Sequence, residues 1–384
     1  MQRLLIGIGI TVLLLLAILQ WVVPARIEAG LNIMIAHDSY VVSERAKELH
    51  KSLFIADLHS DSLLWKRNLL ELSDVGHMDL PRLRTGNVAL QVFSATTKSP
   101  AGLNYDNNDA GSDDITKLAI ISLWPMRTWG SLYERAVYQL DKLRDIAGHS
   151  ELTVVTSRQE MATFIARRES GEPTIAALYL IEGAHPLEGD IQNLDRLFDR
   201  GLRIVGLTHF FDNELGGSLH GISGEGLSDF GRSVVQRANA LGAIIDVAHA
   251  SPRMVAEVLQ LSKSAVILSH GGIKGNCDSA RNLDDALMQD MAKKGGLLGI
   301  GYWDAAVCDV TPAGVVRAIR YAIDLLGVSH VALGSDYDGT VAVTFDTGEL
   351  VVLTDAMLQA GFTEDEIRKV MGENVKQFLL DNLP

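Results

Sequence analysis

The stretch AIIDVAHASPRMVAEVLQLSKSAVILSH, residues 243–270, contains two short apolar runs with a helical pattern between them. The runs are Ala243–Val247 and Ala265–Ser269. A repeat of this kind favours two parallel strands joined by a right-handed helical crossover. A histidine closely follows each run, His249 after the first and His270 after the second.

Six further apolar runs of the same kind occur elsewhere in the chain. In chain order the eight predicted strands are Leu53–Asp57, Val88–Phe93, Thr174–Ile181, Arg203–Thr208, Ala243–Val247, Ala265–Ser269, Leu297–Tyr302 and His330–Gly334. A run at Leu152–Thr156 is either a small extra strand or the lead into a helix. The first strand lacks the glycine-rich phosphate turn expected in an open doubly wound sheet, so the pattern predicts a (β/α)8 TIM-type barrel.

The N-terminal residues predict a membrane segment. Leu4–Val23, LLIGIGITVLLLLAILQWVV, carries no charge, and about 20 apolar residues match the hydrocarbon thickness of a bilayer. The run is longer than the apolar part of a usual signal peptide, so we expect a retained N-terminal transmembrane helix. The predicted divisions are a membrane anchor or signal segment at 1–24, a juxtamembrane linker at 25–44 and the barrel at 45–384. With Arg3 kept in the cytoplasm, the barrel is expected on the periplasmic or extracellular side of the inner membrane.

The net charge and the cysteine count limit the partners and the kinds of metal site that the protein can have. Thirty-four Lys and Arg stand against 48 Asp and Glu in 384 residues, and this net charge of −14 disfavours nucleic acid as a partner. The only cysteines, Cys277 and Cys308, are too few for a cysteine-rich metal cluster, so any metal must be bound by histidine and carboxylate. Because they follow neighbouring predicted strands and the compartment is expected to be oxidising, we predict a disulfide between them.

Candidate metal ligands occur at the C-terminal ends of six predicted strands, where active sites of such barrels lie. His59 and Asp61 are two residues apart, so on an extended chain their side chains point to the same side and suit one metal. Glu182 is the natural bridge between two metals, because no lysine ends a predicted strand. The other ends present His209, His249, His270 and Asp336. Together these ends indicate a metallohydrolase, although each residue alone has an ordinary structural role open to it.

Eight motifs occur in order between about residues 45 and 380. They are DLHSDSLLW, IEGAHPL, GLTHFFDN, DVAHAS, ILSHGG, ARNLDD, GSDYDG and GENVKQFL. The ordered set resembles the membrane dipeptidase family, also called renal dipeptidases, and in particular its bacterial members with an N-terminal apolar segment. The resemblance implies a barrel enzyme with two Zn²⁺ per chain that hydrolyses small dipeptides.

The resemblance also implies which residues bind the metals. His59 and Asp61 correspond to the ligands of one zinc, and His249 and His270 to those of the other. Glu182 corresponds to the carboxylate that bridges the two ions.

Three further residues match positions that act on the substrate in this family. His209 resembles the histidine that contacts the substrate and its oxyanion, Arg281 the arginine that receives the substrate carboxylate, and Asp336 the acid/base aspartate. The implied nucleophile is a hydroxide that bridges the metals, and no covalent enzyme intermediate is needed.

Two other functions stay open on the sequence. A related binuclear barrel amidohydrolase would act on cyclic amides, N-acyl amino acids or phosphoesters. A membrane-tethered metal-binding protein would show no turnover. Hydrolysis of a plain dipeptide separates these alternatives from the dipeptidase. The sequence does not specify the side-chain or stereochemical preference, and it is compatible with a homodimer.

Overall fold

The computed structural model describes residues 18–384, and eleven strands form within that part of the chain. They are β1 (Ile33–Met34), β2 (Ile55–Asp57), β3 (Val88–Thr96), β4 (Leu152–Val154), β5 (Ile175–Glu182), β6 (Leu202–Gly206), β7 (Ile244–Asp246), β8 (Ile267–Gly271), β9 (Leu297–Ile300), β10 (Val331–Leu333) and β11 (Ala342–Val343).

Eight of these strands close into a parallel barrel. The ring runs β2, β3, β5, β6, β7, β8, β9, β10, and β10 pairs again with β2. All eight predicted strands are therefore confirmed, and so is the barrel. The run that begins at Leu152 is a ninth strand outside the ring, because β4 pairs only with residues 175–177 at the start of β5.

Alternation along β5 shows why its last residue points toward the barrel axis. Ala176, Leu178 and Leu180 belong to a buried cluster to which all eight ring strands contribute, which is the barrel interior. Ala177, Tyr179 and Ile181 instead pack in a larger cluster with the surrounding helices. Since side chains alternate along a strand, Glu182 continues the inward series at the C-terminal end of the barrel.

Helices cover the outside of the barrel. The α-helices of the described residues are Val23–Leu31, Glu44–Lys51, Leu80–Thr85, Asp114–Ile121, Leu132–Gly148, Arg158–Glu169, Gln192–Asp199, Asp229–Leu241, Pro252–Leu261, Asp285–Lys293, Asp304–Val307, Pro312–Leu326, Val351–Gln359, Glu364–Arg368 and Asn374–Asn382. Most of these helices begin after a residue whose side chain caps the first turn. Before Pro252–Leu261, for example, the Ser251 side chain accepts a hydrogen bond from the Met254 amide, and Pro252 is the first helical residue.

The predicted membrane segment lies mostly outside the described residues. Of residues 4–23, the structure describes only 18–23, where a π-helix, Ile18–Val22, leads into the helix Val23–Leu31. Between residues 18 and 384, none of the helices has the length and apolar character required to cross a bilayer.

Residues 23–35 are attached to the loop that follows β10. Glu28 accepts a hydrogen bond of 2.5 Å from Arg67 Nε, and Arg67 also forms an ion pair with Asp338. The Asn32 side chain accepts a hydrogen bond of 2.9 Å from the Thr340 amide. β1 then pairs in parallel with β11. The N-terminal segment is therefore part of the folded unit that holds this loop.

The predicted disulfide is confirmed. Cys277 and Cys308 are bonded, with their Cα atoms 5.5 Å apart. The bond joins the loop after β8 to the end of the short helix Asp304–Val307 after β9. Both connected segments lie at the same rim of the barrel as Arg281.

Candidate active site

The carboxylate of Glu182 is the centre of the site. Its Oε1 atom lies 3.5 Å from His59 Nε2, 3.2 Å from His249 Nε2 and 3.4 Å from His270 Nε2. Its Oε2 atom lies 3.4 Å from His209 Nε2. Four histidines from four strand ends thus meet one carboxylate.

Two aspartates complete the cluster on the His59 side. His59 Nε2 lies 3.7 Å from Asp61 Oδ1 and 3.9 Å from Asp336 Oδ1. All of these side chains are buried. The structure therefore brings together seven of the eight predicted site residues, with Arg281 next to them.

The donor set fits divalent cations. His59 Nε2 is buried and has no hydrogen-bond partner among the described residues. His249 Nε2 and His270 Nε2 are only 2.9 Å apart, so their lone pairs repel unless a proton or a cation lies near both. Three sets of ligand atoms lie within 4.8 Å of one another: His59, Asp61 and Glu182; Glu182, His209 and His249; His59, His270 and Asp336. Mixed imidazole and carboxylate donors suit zinc better than calcium or magnesium.

Buried partners fix the orientation of these ligands. Ser269 Oγ lies 2.9 Å from His270 Nδ1 and 3.3 Å from His59 Nδ1, and it donates a hydrogen bond of 2.6 Å to Asp246. On the other side, Asp57 accepts a hydrogen bond of 3.0 Å from the His59 amide. Support of this kind orients ligand imidazoles in metal sites.

Burial and close neighbouring charges shift the pKa values of the ligand side chains in the cluster. Burial opposes the charged imidazolium, but the nearby carboxylates of Glu182, Asp61 and Asp336 outweigh it and raise the pKa of His59 to about 10. Burial and the neighbouring Asp61 raise the pKa of Glu182, and burial raises that of Asp336 well above its usual range. Burial lowers the pKa of His249 well below its ordinary value. A bound cation stabilises buried carboxylates beside imidazoles that resist protonation, such as those of His249 and His270.

Arg281 is a buried cation without an acidic partner. Its side chain is 1% exposed, and one Nη2–H donates to the His270 carbonyl at 2.8 Å. Its Nε has no hydrogen-bond partner, and within residues 18–384 no carboxylate lies within ion-pair distance of the guanidinium. Since a buried charge is normally paired, this guanidinium is suited to an anion from outside the chain.

A cavity of about 280 Å³ connects these groups. Its walls include Arg281, His209, Asp336, Tyr105 and Trp303. This volume is at the small end for ligand pockets and suits a small molecule. A larger cavity of about 750 Å³ lies at the opposite end of the barrel, near the start of β3 and β5, and contains none of the predicted site residues.

Two of the predicted site residues have left-handed backbone conformations. His249 has φ +63° and Asp336 has φ +59°. Such conformations cost non-glycine residues about 1–3 kcal/mol and persist where the surrounding structure enforces them. Here they turn the two side chains toward the cluster directly after β7 and β10.

Thr96 is a site residue that the sequence reasoning missed. Its hydroxyl lies 2.9 Å from Asp61 Oδ1 and 2.8 Å from Glu182 Oε2, and it can donate to one at a time. The predicted strand ended at Phe93, whereas β3 continues to Thr96. The small residues Ser94 and Ala95 interrupt the apolar run, so the strand was predicted to end three residues too early. The side chains of Leu90 and Val92 point into the barrel, so continuing their alternation along the strand would have placed Thr96 at the rim.

A family model and a curated relative agree on what this chain is similar to. The model described as membrane dipeptidase, peptidase family M19, matches residues 43–380. Dipeptidase 3 of Homo sapiens is 27% identical over 364 residues, which cover 86% of this chain and 65% of the relative. The chain thus spans just under two thirds of that relative's length.

Solved structures show the same fold. The probable dipeptidase PvdM from Pseudomonas aeruginosa has a TM-score of 0.73 at 19% identity, with 88% of this chain and 98% of that chain covered. A metallopeptidase from Rhodobacter sphaeroides, liganded with a phosphinate mimic of the dipeptide L-Ala-D-Ala, has a TM-score of 0.68 at 22% identity, with 86% and 99% covered. At these identities the likeness supports the fold alone. The family match covers most of the chain and confirms the resemblance seen in the motifs: the chain belongs to the membrane dipeptidase family, peptidase family M19.

Proposed function

We propose that this protein is a binuclear zinc dipeptidase. The observation that carries the proposal is the buried guanidinium of Arg281 beside a cluster of metal-type ligands, at the wall of a small cavity. Such a cavity can take a free carboxylate at one end and a peptide carbonyl at the other. Membership of the membrane dipeptidase family supports the same assignment.

Five residues would hold the metals. His59 and Asp61 would bind one zinc ion, His249 and His270 the other, and Glu182 would bridge them. When bound, the two ions supply Lewis acidity toward the scissile carbonyl and a water nucleophile that is available near neutral pH. The unpartnered His59 Nε2 and the short distance between the His249 and His270 nitrogens support this division.

The remaining residues have roles that follow from their positions. Arg281 binds the C-terminal carboxylate of the substrate and so places the scissile bond at the cluster. His209 donates a hydrogen bond to the carbonyl oxygen as negative charge develops on it. Asp336, whose Oδ1 lies 3.9 Å from His59 Nε2 at the cluster, takes the proton of the attacking water and passes it to the leaving amine. Tyr105 and Trp303 limit the access of water to the cavity.

The proposal includes the cellular setting. Residues 1–24 form the anchor or signal segment, 25–44 the juxtamembrane linker and 45–384 the catalytic barrel. The barrel lies on the periplasmic or extracellular side of the inner membrane, where the Cys277–Cys308 bond is stable.

The test is an activity profile of the full-length protein in detergent with added Zn²⁺. A library of dipeptides of mixed chirality is compared with cyclic dipeptides, N-acetyl amino acids and a phosphodiester. We expect hydrolysis of dipeptides, loss of activity with a chelator, its return with Zn²⁺, and two zinc ions per active chain. Turnover of the cyclic, acylated or phosphoester compounds without turnover of dipeptides would instead identify a different barrel amidohydrolase.

A further inference from the structure

Exposed apolar side chains are concentrated in two segments of the described chain. Twelve large apolar residues are exposed between residues 18 and 384, and eight of them lie in residues 18–35 or 120–126. The eight are Ile18, Val22, Leu31, Ile33, Ile35, Ile120, Leu123 and Met126. Single exposed apolar residues need no explanation, but a concentration of them marks an interaction surface.

The two segments are neighbours in the fold. Helix Val23–Leu31 contacts helix Asp114–Ile121. Ile27 of the first helix packs against a small buried cluster that includes Ile115 and Trp124. The exposed residues Ile120, Leu123 and Met126 therefore surround the place where the N-terminal helix joins the barrel.

The turn that exposes Leu123 is held by a backbone hydrogen bond and by the buried residue that follows it. The Trp124 amide donates a 2.8 Å hydrogen bond to the Ala119 carbonyl, and the Trp124 side chain is buried. Leu123 itself has φ +56°, a conformation that costs a non-glycine residue free energy. Its side chain is 56% exposed and that of Met126 is 76% exposed. The left-handed Leu123 and the bond from Trp124 to Ala119 form the C-terminal cap of helix Asp114–Ile121, and this cap leaves the Leu123 side chain in solvent.

The chain outside the described residues indicates what that partner is. The uncharged apolar run 4–23 ends beside this surface, and its last residues are fixed there because Lys66 Nζ donates to the Gln20 carbonyl at 2.5 Å. Trp129, which is half-buried next to Met126, is a residue type enriched at the boundary between lipid and water. A segment long enough to span a bilayer would bring the surrounding surface to the level of the lipid headgroups.

We propose that Ile120, Leu123 and Met126 form a docking surface that enters the headgroup region of the same bilayer into which residues 4–23 insert. The barrel is then held by two contacts, the anchor and this docking surface, and so has a fixed orientation on the membrane. The docking surface lies in the segment that follows β3 in the chain. The inference rests on the proposed bilayer role of residues 4–23, and the experiment tests the two separately.

The test uses the full-length protein in vesicles of zwitterionic lipid whose acyl chains carry bromine. A bimane dye is attached to one introduced cysteine at a time, Leu123→Cys, Met126→Cys or Val22→Cys, with the native disulfide verified by mass analysis. Ile222→Cys is the matched control, since Ile222 is also an exposed apolar residue but lies outside both segments. We expect several-fold stronger quenching at the first three positions than at Ile222, because interfacial groups lie about 5–10 Å inside the boundary.

Each other outcome overturns the inference in a distinguishable way. Quenching at Val22 with none at Leu123 and Met126 would mean that the anchor inserts and the surface does not dock. Absence of quenching at all positions would refute the anchor as well. Protection of Leu123 and Met126 from aqueous iodide without quenching by lipid bromine would assign the surface to another part of the chain or to a second copy. The double variant Ile120→Glu, Met126→Glu should abolish quenching at Leu123 while dipeptide hydrolysis in detergent stays unchanged.

Discussion

The charge selectivity of Arg281 offers the sharpest test of the proposed function. The change is made on the substrate first: the C-terminal carboxylate of a good dipeptide is replaced by an amide. Arg281 is 1% exposed and has no acidic partner among the described residues, so the amide leaves its charge without an anion. We expect kcat/KM to fall steeply for the amide.

The expected fall in kcat/KM is estimated from two limits on the free energy that the amide loses at Arg281. Hydrogen bonds to charged groups contribute about 1.5–3 kcal/mol, which sets the lower limit. A buried charge left without its partner costs about 3–5 kcal/mol, which sets the upper limit. Arg281 keeps its hydrogen bond to the His270 carbonyl with either substrate, so a value near 3 kcal/mol, or roughly 10²-fold in kcat/KM, is expected.

The assay measures kcat/KM for the dipeptide, its amide and the peptide extended by one residue. The extended peptide should be as poor as the amide, because Arg281 Nη2 lies only 3.4 Å from His249 Nε2 and a carboxylate bound to it would stay close to the cluster. In Arg281→Met the dipeptide and its amide should become equal within a few-fold, with zinc content unchanged. Arg281→Lys is the matched control that keeps the charge but not the two-pronged geometry, and it should retain part of the preference. Equal values for all three substrates in the native protein would refute the reasoning.

Three further outcomes are expected. Glu182→Gln should retain less zinc after dialysis than Asp61→Asn, because Glu182 contacts ligands of both proposed ions; equal retention by metal analysis would contradict the bridge. Asp336→Asn should keep its zinc and its melting temperature while turnover falls about 10²–10⁴-fold, and near-normal turnover would remove Asp336 from proton transfer. Replacing Cys277 and Cys308 by serine should lower the free energy of unfolding by about 3–4 kcal/mol for a crosslink spanning 31 residues, measured by denaturant unfolding of the detergent-solubilised protein.

The sequence predicted the barrel because its ring strands are nearly continuous apolar runs that end in polar residues. A strand such as Ile175–Glu182 is buried along its whole length, so hydrophobicity alone marks it. The polar residue that ends such a run then lies at the rim with the others, which is why the order of residues along the chain was enough to group Glu182 with His270.

Other features could not be read from the chain because they depend on contacts between distant residues. The role of Arg281 was predicted only through the resemblance of the motifs, because the residue by itself looks like any loop arginine until its surroundings show that no carboxylate pairs with it. The left-handed backbone of His249 and Asp336 has only a weak local signal, since aspartate and histidine adopt this conformation more often than most residues but still rarely. Thr96 was missed for a different reason, because small residues end the apolar run before the strand ends.

The attachment of residues 23–35 to the loop after β10 has a consequence for any cleavage between the proposed anchor and the barrel. Residues 35–43 form neither helix nor strand, and Val41 is 94% exposed, so a protease would cut there most easily. The shed barrel would lose Glu28 and Asn32, and with them two of the contacts that hold the loop carrying Asp336. We therefore expect a cut within residues 35–43 to loosen the loop that carries Asp336 and to lower the proposed activity.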